Sequence, residues 1–400
     1  MRTRIWLRAA PIVLAVLPAL LVAQGRQEVV QSRTGGVRVE KLATLEFPWG
    51  MDYLPDGRLL ITEKPGRLRI FANGELSEPL EGVPHVSYKA GQTEQGGLLD
   101  VAVDPDFANS RTIFLSYTEE APQTSAPAKP EIDPRVAGGI DPQDTRLRGG
   151  VVARAILDGN RLADVQPIWK QEPKTVARGH FGHRIVFAPD GTMFVTSGDR
   201  MRFDPAQDLG TNLGKVVRIT REGTAPKDNP FVDKEGARDE IWTYGHRNML
   251  AAAMHPTSGQ LWVFEMGPFG GDELNVIRRG RNYGWPLVSN GSHYNKEPIP
   301  DHATSAEYEP PIRTWTPVIS PSGALFYDGD LFPWKGNAII GGLSAQGLVR
   351  LVVDDDRVMD EDRIILKRRV RDVTQAPDGA LLVITDHEDG ELLRLTPDGT

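Results

Sequence analysis

The sequence contains no cysteine. This absence excludes disulfide bonds, thiolate metal ligands, a cysteine nucleophile and a lipid-anchored N-terminal cysteine, so any metal ion must bind oxygen or imidazole. The chain is acidic, with 46 Lys and Arg against 54 Asp and Glu among 400 residues and a net charge of −8. It also has no cluster of Lys and Arg comparable to the basic stripe of a nucleic-acid-binding surface. We therefore expect no nucleic-acid partner. With 40% apolar and 25% charged residues, the composition is that of an ordinary globular chain.

Long apolar runs are lacking except at the N-terminus. There, three arginines within Met1 to Arg8 precede the uncharged run AAPIVLAVLPALLVA, which ends at Ala23. This arrangement is typical of a secretory signal peptide, which we assign to residues 1–25. A membrane anchor is the alternative, but a spanning helix needs roughly 20 apolar residues and Pro18 interrupts this run. We expect a periplasmic or secreted protein without a stable membrane anchor.

Long helical windows are scarce, because 41 glycines and 31 prolines interrupt the chain. A short unit recurs instead, in which a proline and a turn precede an apolar alternating strand. Its six irregularly spaced copies begin at Leu54, Asp104, Ala188, His255, Pro333 and Ala376. They predict an all-β, six-bladed β-propeller over residues 37–397, a closed ring with few exposed sheet edges. Two β-sandwich domains are the alternative. A Pro-, Ala- and Gly-rich stretch at about 120–149 predicts a long inserted loop.

Five segments between the repeats carry polar and glycine-rich motifs. They are EQGGLLD at 94–100, GHFGHR at 179–184, YGHRN at 244–248, MGPFGGDE at 266–273 and RRVRD at 368–372. Propellers place function on the loops at one mouth of the central channel, so these segments are the candidates for a site. In this order they resemble the soluble quinoprotein sugar dehydrogenases of the glucose/sorbosone dehydrogenase family, over about Val37 to Leu395.

The resemblance implies a calcium-dependent propeller that carries pyrroloquinoline quinone (PQQ). It also implies oxidation of aldose sugars at the anomeric carbon to lactones, with an external electron acceptor. Two alternatives remain open at this point: a calcium-dependent propeller lactonase or other hydrolase, and a propeller that binds sugar or protein without catalysis. A hydrolase would need a calcium ion lined by several Asp, Glu and Asn side chains, and these segments contain no such set.

The candidate base is His180. Oxidation of a hydroxyl by hydride transfer needs a base for the hydroxyl proton, and neutral imidazole suits this role near its pKa of about 6.5. By resemblance His180 holds the base position, while His183 is expected to pack within the loop. Without the motif, a turn histidine bonded to a backbone carbonyl is the ordinary alternative.

The quinone contacts implied by the resemblance are Gln95, Arg247 and Asn248. A fixed guanidinium at Arg247 would stabilise negative charge that develops on a quinone oxygen, so we also count Arg247 as catalytic. A salt bridge between blades is the alternative for Arg247, and a solvated turn residue is the alternative for Gln95.

PQQ carries three carboxylates, which arginine binds better than lysine because its guanidinium is planar and bidentate. Arg369 and Arg371 match the pair that the resemblance assigns to this task. Their i, i+2 spacing on an extended segment places both on one face, whereas Arg368 is expected on the opposite face, in solvent. A charged strand edge is the alternative.

Calcium binds six to eight oxygen ligands, often including backbone carbonyls. By resemblance the carbonyls of Gly267 and Pro268 hold the calcium that bridges to PQQ. The Glu273 side chain and the Tyr283 carbonyl match a second calcium site away from the cofactor. A surface carboxylate is the alternative for Glu273.

Two positions depart from the family pattern. Ala345 stands where some members have a lysine that binds PQQ, and Gly179 lacks the acidic residue that precedes the base in others. We expect one cation fewer near the cofactor, and therefore tighter PQQ binding in Ala345→Lys.

Overall fold

The computed structural model describes residues 28–91, 94–122, 133–136 and 144–399. The expected signal peptide at 1–25 and most of the expected inserted loop at about 120–149 lie outside these residues. The described chain forms six antiparallel sheets arranged as a β-propeller, which confirms the predicted fold class. Among the described residues, no helix has both the length and the apolar character needed to cross a membrane.

Each of the first five blades contains four strands that follow one another along the chain, and the sixth combines three such strands with strands from the N-terminus. Two N-terminal strands precede the first complete blade: β1 (Glu28–Ser32) and β2 (Gly35–Leu45). The strands of blades 1 to 3 are β3 (Pro48–Tyr53), β4 (Leu59–Glu63), β5 (Arg67–Ala72) and β6 (Glu75–Leu76); β7 (Leu98–Val103), β8 (Thr112–Glu120), β9 (Arg148–Asp158) and β10 (Arg161–Lys170); β11 (Gly182–Phe187), β12 (Met193–Ser197), β13 (Lys215–Ile219) and β14 (Ile241–Tyr244).

Blades 4 to 6 continue this order. Their strands are β15 (Met249–Met254), β16 (Leu261–Glu265), β17 (Asp272–Val276) and β18 (Arg313–Trp315); β19 (Pro321–Phe326), β20 (Ala338–Gly342), β21 (Gly347–Asp354) and β22 (Arg357–Ile365); β23 (Val370–Gln375), β24 (Leu381–Thr385) and β25 (Gly390–Pro397). Helical structure in the described residues is limited to α1 (Phe107–Ser110) and short 3₁₀ turns at Pro134–Val136, Asp204–Ala206 and His302–Thr304.

The N-terminal strands close the ring of blades. β2 pairs with β25 from Val37 opposite Pro397 to Leu45 opposite Gly390, and β1 pairs with β2 in turn. The sixth sheet is therefore five-stranded, in the order β1-β2-β25-β24-β23. Because this sheet joins both ends of the described chain, the ring has no free seam between its first and last blades.

The hydrophobic core lies between neighbouring blades. The second strand of most blades is buried at every residue, as in LLITE of β4, MFVTS of β12 and LLVIT of β24. Such strands are covered on both faces, so their sequences are continuously apolar apart from their last residues. One interblade cluster joins Trp262 and Phe264 of blade 4 to Ile340 and Val349 of blade 5.

The guanidinium of Arg184, in β11, lies among the inner strands and carries the central ion pairs. Its Nη1 donates to Asp100 Oδ1 of β7 at 2.9 Å and to Asp372 Oδ2 of β23 at 3.1 Å. All three side chains are buried. Burial raises the pKa of Asp372 to about 6, although the positive charge of Arg184 opposes this rise. One buried cation thus holds together two carboxylates from different blades.

The remaining inner strands also reach this guanidinium. Nε donates to the carbonyl of Leu250 in β15 at 2.8 Å, and Nη2 donates to the carbonyl of Ser322 in β19. The carbon centre of the guanidinium lies 4.2 Å from the centre of the Trp49 ring in β3. Arg184 therefore contacts the inner strands of all five other blades.

We expect Arg184→Met to destabilise the propeller by about 3–5 kcal/mol, because it leaves two buried carboxylates without their cation. Urea unfolding measures this loss. The control is Lys335→Met, which breaks the 2.9 Å pair with Asp330 on the surface and should leave the unfolding midpoint nearly unchanged. Equal midpoints for the two variants would show that Arg184 does not hold the blades together.

Candidate active site

A cleft of about 1250 Å³ opens at the ends of the inner strands. Several of the residues predicted from the motifs line it: Gln95, His180, Arg247, Asn248, Gly267 and Pro268. A smaller adjoining pocket, which we call the cation pocket, is lined by Lys64, Gln95, Arg369 and Arg371 among others. The cleft and the cation pocket share Gln95, Met266 and Ser320, so they lie side by side.

His180 lies two residues before the start of β11, and a buried carboxylate orients its ring. Nδ1 is 2.7 Å from Asp199 Oδ1, and Asp199 also accepts bonds from Trp285 Nε1 at 2.8 Å and from the Met201 N–H at 2.9 Å. In neutral His180, Nδ1–H donates to Asp199, so Nε2 carries the lone pair. The φ of 53° at His180 is in the left-handed region, which is uncommon for a residue with a side chain.

The protonation state of His180 follows from its surroundings. Burial lowers its pKa, the positive charge of Arg247 lowers it further, and Asp199 acts in the opposite direction. The net pKa lies below the ordinary value, so the imidazole is neutral at neutral pH. A neutral ring with an oriented lone pair has the properties of a general base.

Asp199 is a site residue that the sequence reasoning missed. It ends the repeat APDGTMFVTSGD, which we interpreted only as a structural unit. The acidic residue absent at position 179 has no room there, because a Cβ on Gly179 would lie 2.7 Å from the Gln95 carboxamide carbon. Gln95 Oε1 in turn accepts the His180 N–H at 2.8 Å. Gln95 fixes the backbone of the base, and Asp199 fixes its ring.

Arg247 and Asn248 each have one buried polar atom without a partner among the described residues. The guanidinium of Arg247 donates to the Met266 carbonyl at 2.9 Å and to the Tyr294 hydroxyl at 3.1 Å, and no described carboxylate forms a salt bridge with it. Arg247 Nε and Asn248 Oδ1 are buried without a hydrogen-bond partner among the described residues. Such atoms usually bind a ligand or water.

The cation pocket contains a third basic side chain that the sequence reasoning missed. Arg369 and Arg371 reach the same side of the chain, as their spacing predicts, and each lies 2.8 Å from an oxygen of Asp386. Lys64 lines the same pocket. Burial alone would raise the pKa of Asp386, but Arg371, Lys64 and Arg369 together hold it well below its usual range. Lys64 lies in the first repeat, where nothing in its local pattern distinguishes it.

Two neighbouring positions differ from their expected surroundings. Arg368 is not simply solvated, because it forms ion pairs with Glu28 at 2.9 Å and Glu391 at 2.7 Å. Ala345 packs against the apolar cluster that contains Ile319, while Leu343 of the same loop lines the cation pocket. The lysine missing at position 345 therefore does not leave the pocket with Arg369 and Arg371 alone, because Lys64 also lines it.

Gly267 and Pro268 lie between the cleft and a small cavity behind it. The Gly267 N–H donates to Asp272 Oδ1 at 2.9 Å, and a Cβ on Gly267 would lie 2.3 Å from the Gly271 carbonyl oxygen. Only glycine fits this close approach of two backbone segments. Within the described chain, neither the Gly267 nor the Pro268 carbonyl accepts a hydrogen bond. Free carbonyl oxygens of this kind suit calcium.

Glu273 and Tyr283 line the small cavity, not the cleft, and Glu265 lines it with them. Glu273 is buried rather than on the surface, and its Oε1 lies 3.1 Å from His302 Nε2. Burial raises the pKa of Glu273. The Tyr283 hydroxyl donates to the Val276 carbonyl at 2.6 Å, and no hydrogen bond to the Tyr283 carbonyl is found within the described chain. The described residues contain no cluster of three or more His, Asp or Glu side chains arranged for a metal ion.

A closed six-bladed propeller with a buried His–Asp pair and a cation pocket in one cleft has the features of a propeller enzyme. The sequence profile of the glucose / sorbosone dehydrogenase family matches residues 45–394. The chain therefore belongs to this family of oxidoreductases.

Individual relatives agree with this assignment. The chain is similar to the aldose sugar dehydrogenase YliI of Escherichia coli, with 40% identity over 369 residues that cover 90% of this chain and 93% of the relative. The crystal structure of the soluble aldose sugar dehydrogenase from E. coli, in its apo form, superposes with a TM-score of 0.81 at 40% identity, covering 90% and 99% of the two chains. The PQQ-bound aldose sugar dehydrogenase of Streptomyces coelicolor gives 0.70 at 25% identity, covering 90% and 98%.

Gly179→Ala tests the contact between position 179 and Gln95. The added methyl group should displace the carboxamide and leave the His180 N–H without its acceptor, at a cost of about 1–3 kcal/mol in urea unfolding. In a Gln95→Ala background the same substitution should cost much less, because the space is then open. Additive effects of the two substitutions would show that these residues are not coupled.

Proposed function

We propose that this protein oxidises aldose sugars at the anomeric carbon to lactones, with PQQ and calcium as cofactors and an external electron acceptor. The observation that carries the proposal is the close grouping of the His180–Asp199 pair, the unpartnered polar atoms of Arg247 and Asn248 and the cation pocket around adjoining cavities. The name of the E. coli relative and the ligand of the S. coelicolor structure support it.

The chemistry of the lining residues fits PQQ. Its carboxylates would bind Arg369 and Arg371 through charge-assisted hydrogen bonds. Its quinone region would meet Gln95, Arg247 and Asn248, where Arg247 Nε and Asn248 Oδ1 are available for a ligand. When bound, PQQ supplies a two-electron acceptor for the hydride that leaves the sugar.

His180 would remove the proton of the anomeric hydroxyl. Nε2 is the basic nitrogen of the ring, because Nδ1–H is held by Asp199. Asp199 would also stabilise the imidazolium that forms when Nε2 takes the proton. Loss of that proton together with the C1 hydride converts the cyclic hemiacetal into a lactone. Arg247 lies close enough to His180 to lower the pKa of its imidazole. Its guanidinium would stabilise the negative charge that develops on the quinone oxygen.

Calcium would bind the free carbonyls of Gly267 and Pro268, and a second ion would bind near Glu273 and Tyr283. Backbone carbonyls fit the first ion, and a buried carboxylate whose pKa is raised by burial would be stabilised by the second. A calcium-dependent hydrolase is less well supported, because its metal needs several acidic side chains that converge on the cleft, and the described residues contain no such cluster.

We also propose that the protein is secreted to the periplasm or beyond. The support is the arginine-rich start followed by the apolar run up to Ala23.

Reconstitution tests the cofactor requirement. Purified protein should oxidise aldoses with an artificial dye acceptor only when both PQQ and calcium are added, because the side chains of the cleft have no redox chemistry of their own. Dye reduction is followed spectrophotometrically, with each component omitted in turn. Full activity after exhaustive chelation and without PQQ would contradict the proposal.

Substitutions of the His–Asp pair test the base. His180→Ala should lower turnover by about two to four orders of magnitude, while PQQ binding stays nearly unchanged. Asp199→Asn removes the charge that raises the pKa of His180, so the acid limb of the kcat/KM profile should move to lower pH while the maximal rate falls. An unmoved acid limb would mean that another group is the base.

A further inference from the structure

We propose that Lys64 is the third cation of the cofactor carboxylate site, so that Lys64, Arg369 and Arg371 together provide one basic side chain for each carboxylate of PQQ. This inference rests on the proposed function and extends it to a residue outside all five motifs.

The backbone of Lys64 is fixed between two blades. Lys64 follows β4 in blade 1, and its N–H donates to the Phe47 carbonyl at 3.0 Å. Its own carbonyl accepts the N–H of Leu98, the first residue of β7 in blade 2, at 3.0 Å. The residue is only 2% exposed, yet its side chain lines the cation pocket. The ammonium group is therefore held at the pocket and is not a mobile surface charge.

The ammonium of Lys64 has unused hydrogen-bonding capacity. Nζ donates to the Glu94 carbonyl at 3.2 Å and lies 4.7 Å from the centre of the Phe47 ring. An ammonium has three N–H donors, and no other acceptor for Nζ is found among the described residues. No described carboxylate lies within salt-bridge distance of it either. A buried cation with one weak partner is costly to maintain unless a ligand completes its surroundings.

The charge balance of the cation pocket favours an anion with several carboxylates. Arg369 and Arg371 share a single carboxylate, Asp386. The other nearby acid, Glu94, pairs through its side chain with Arg148 at 2.8 Å. Three cations thus surround one available negative charge, and the surplus positive charge faces the cavity.

The protonation of Lys64 gives the proposal a pH signature. Burial lowers its pKa to about 8; Arg371 and Arg369 add to the lowering, while Asp386 and Glu94 oppose it. A bound carboxylate would raise this pKa. Below pH 8 the free protein already carries the charge, and above pH 8 binding must take up a proton. The affinity for a carboxylate ligand should therefore fall by up to tenfold per pH unit above about pH 8.

The test is a PQQ titration in the presence of calcium, followed by calorimetry and by quenching of tryptophan fluorescence, since Trp49 lines the pocket. The variants are Lys64→Met, Lys64→Arg and the control Lys89→Met, which removes an exposed lysine. We expect Kd to rise about 10- to 100-fold in Lys64→Met, to stay near wild type in Lys89→Met, and to be largely restored in Lys64→Arg. The wild-type affinity should fall above pH 8, whereas Lys64→Arg should stay level.

Each result decides the proposal. Unchanged PQQ affinity in Lys64→Met would overturn it and leave the proposed function intact, and so would a wild-type pH profile identical to that of Lys64→Arg. Failure of the wild-type protein to bind PQQ would remove the proposed function and this inference together. If Lys64→Met does not fold, as thermal unfolding would show, the comparison between wild type and Lys64→Arg decides alone.

Discussion

The buried guanidinium of Arg184 is the interaction on which the rest of the structure depends. It contacts the inner strands of all the other blades, through two carboxylates, backbone carbonyls and the face of Trp49. A buried cation is tolerated only where its partners converge on it, so this contact constrains how closely the inner strands approach one another. Residues that adjoin these strands in sequence are therefore also held in fixed positions.

The central ion cluster around Arg184 explains why several motifs contain both polar site residues and buried charged residues. Three of them combine a residue of the cleft or cation pocket with a residue of the central ion cluster: Gln95 with Asp100, His180 with Arg184, and Arg371 with Asp372. Each of these site residues therefore lies within a few positions of a buried anchor. Arg371 is in the same strand as its anchor, and Gln95 and His180 lie just before the strands that carry theirs. Rigid support of this kind keeps a base and a set of cations in place before any ligand arrives.

Sequence reasoning predicted the propeller and placed six of its candidate residues on the cleft, because both have local signals. Repeated turn–strand units predict the blades, and motifs such as GHFGHR contain their polar residues in consecutive positions. Asp199 and Lys64 have no such signal, since each ends a repeat or follows a strand and reaches the site only when distant blades come together. The need for glycine at position 179 could likewise not be predicted, because the Gln95 side chain that occupies the adjacent space comes from another blade.

The most direct test of this account is a crystal structure of the protein loaded with calcium and PQQ. The account predicts the quinone in the cleft beside His180, Arg247 and Asn248, and the carboxylates in the cation pocket with Lys64, Arg369 and Arg371. Electron density for PQQ outside this space, or carboxylates that point away from the three cations, would contradict it.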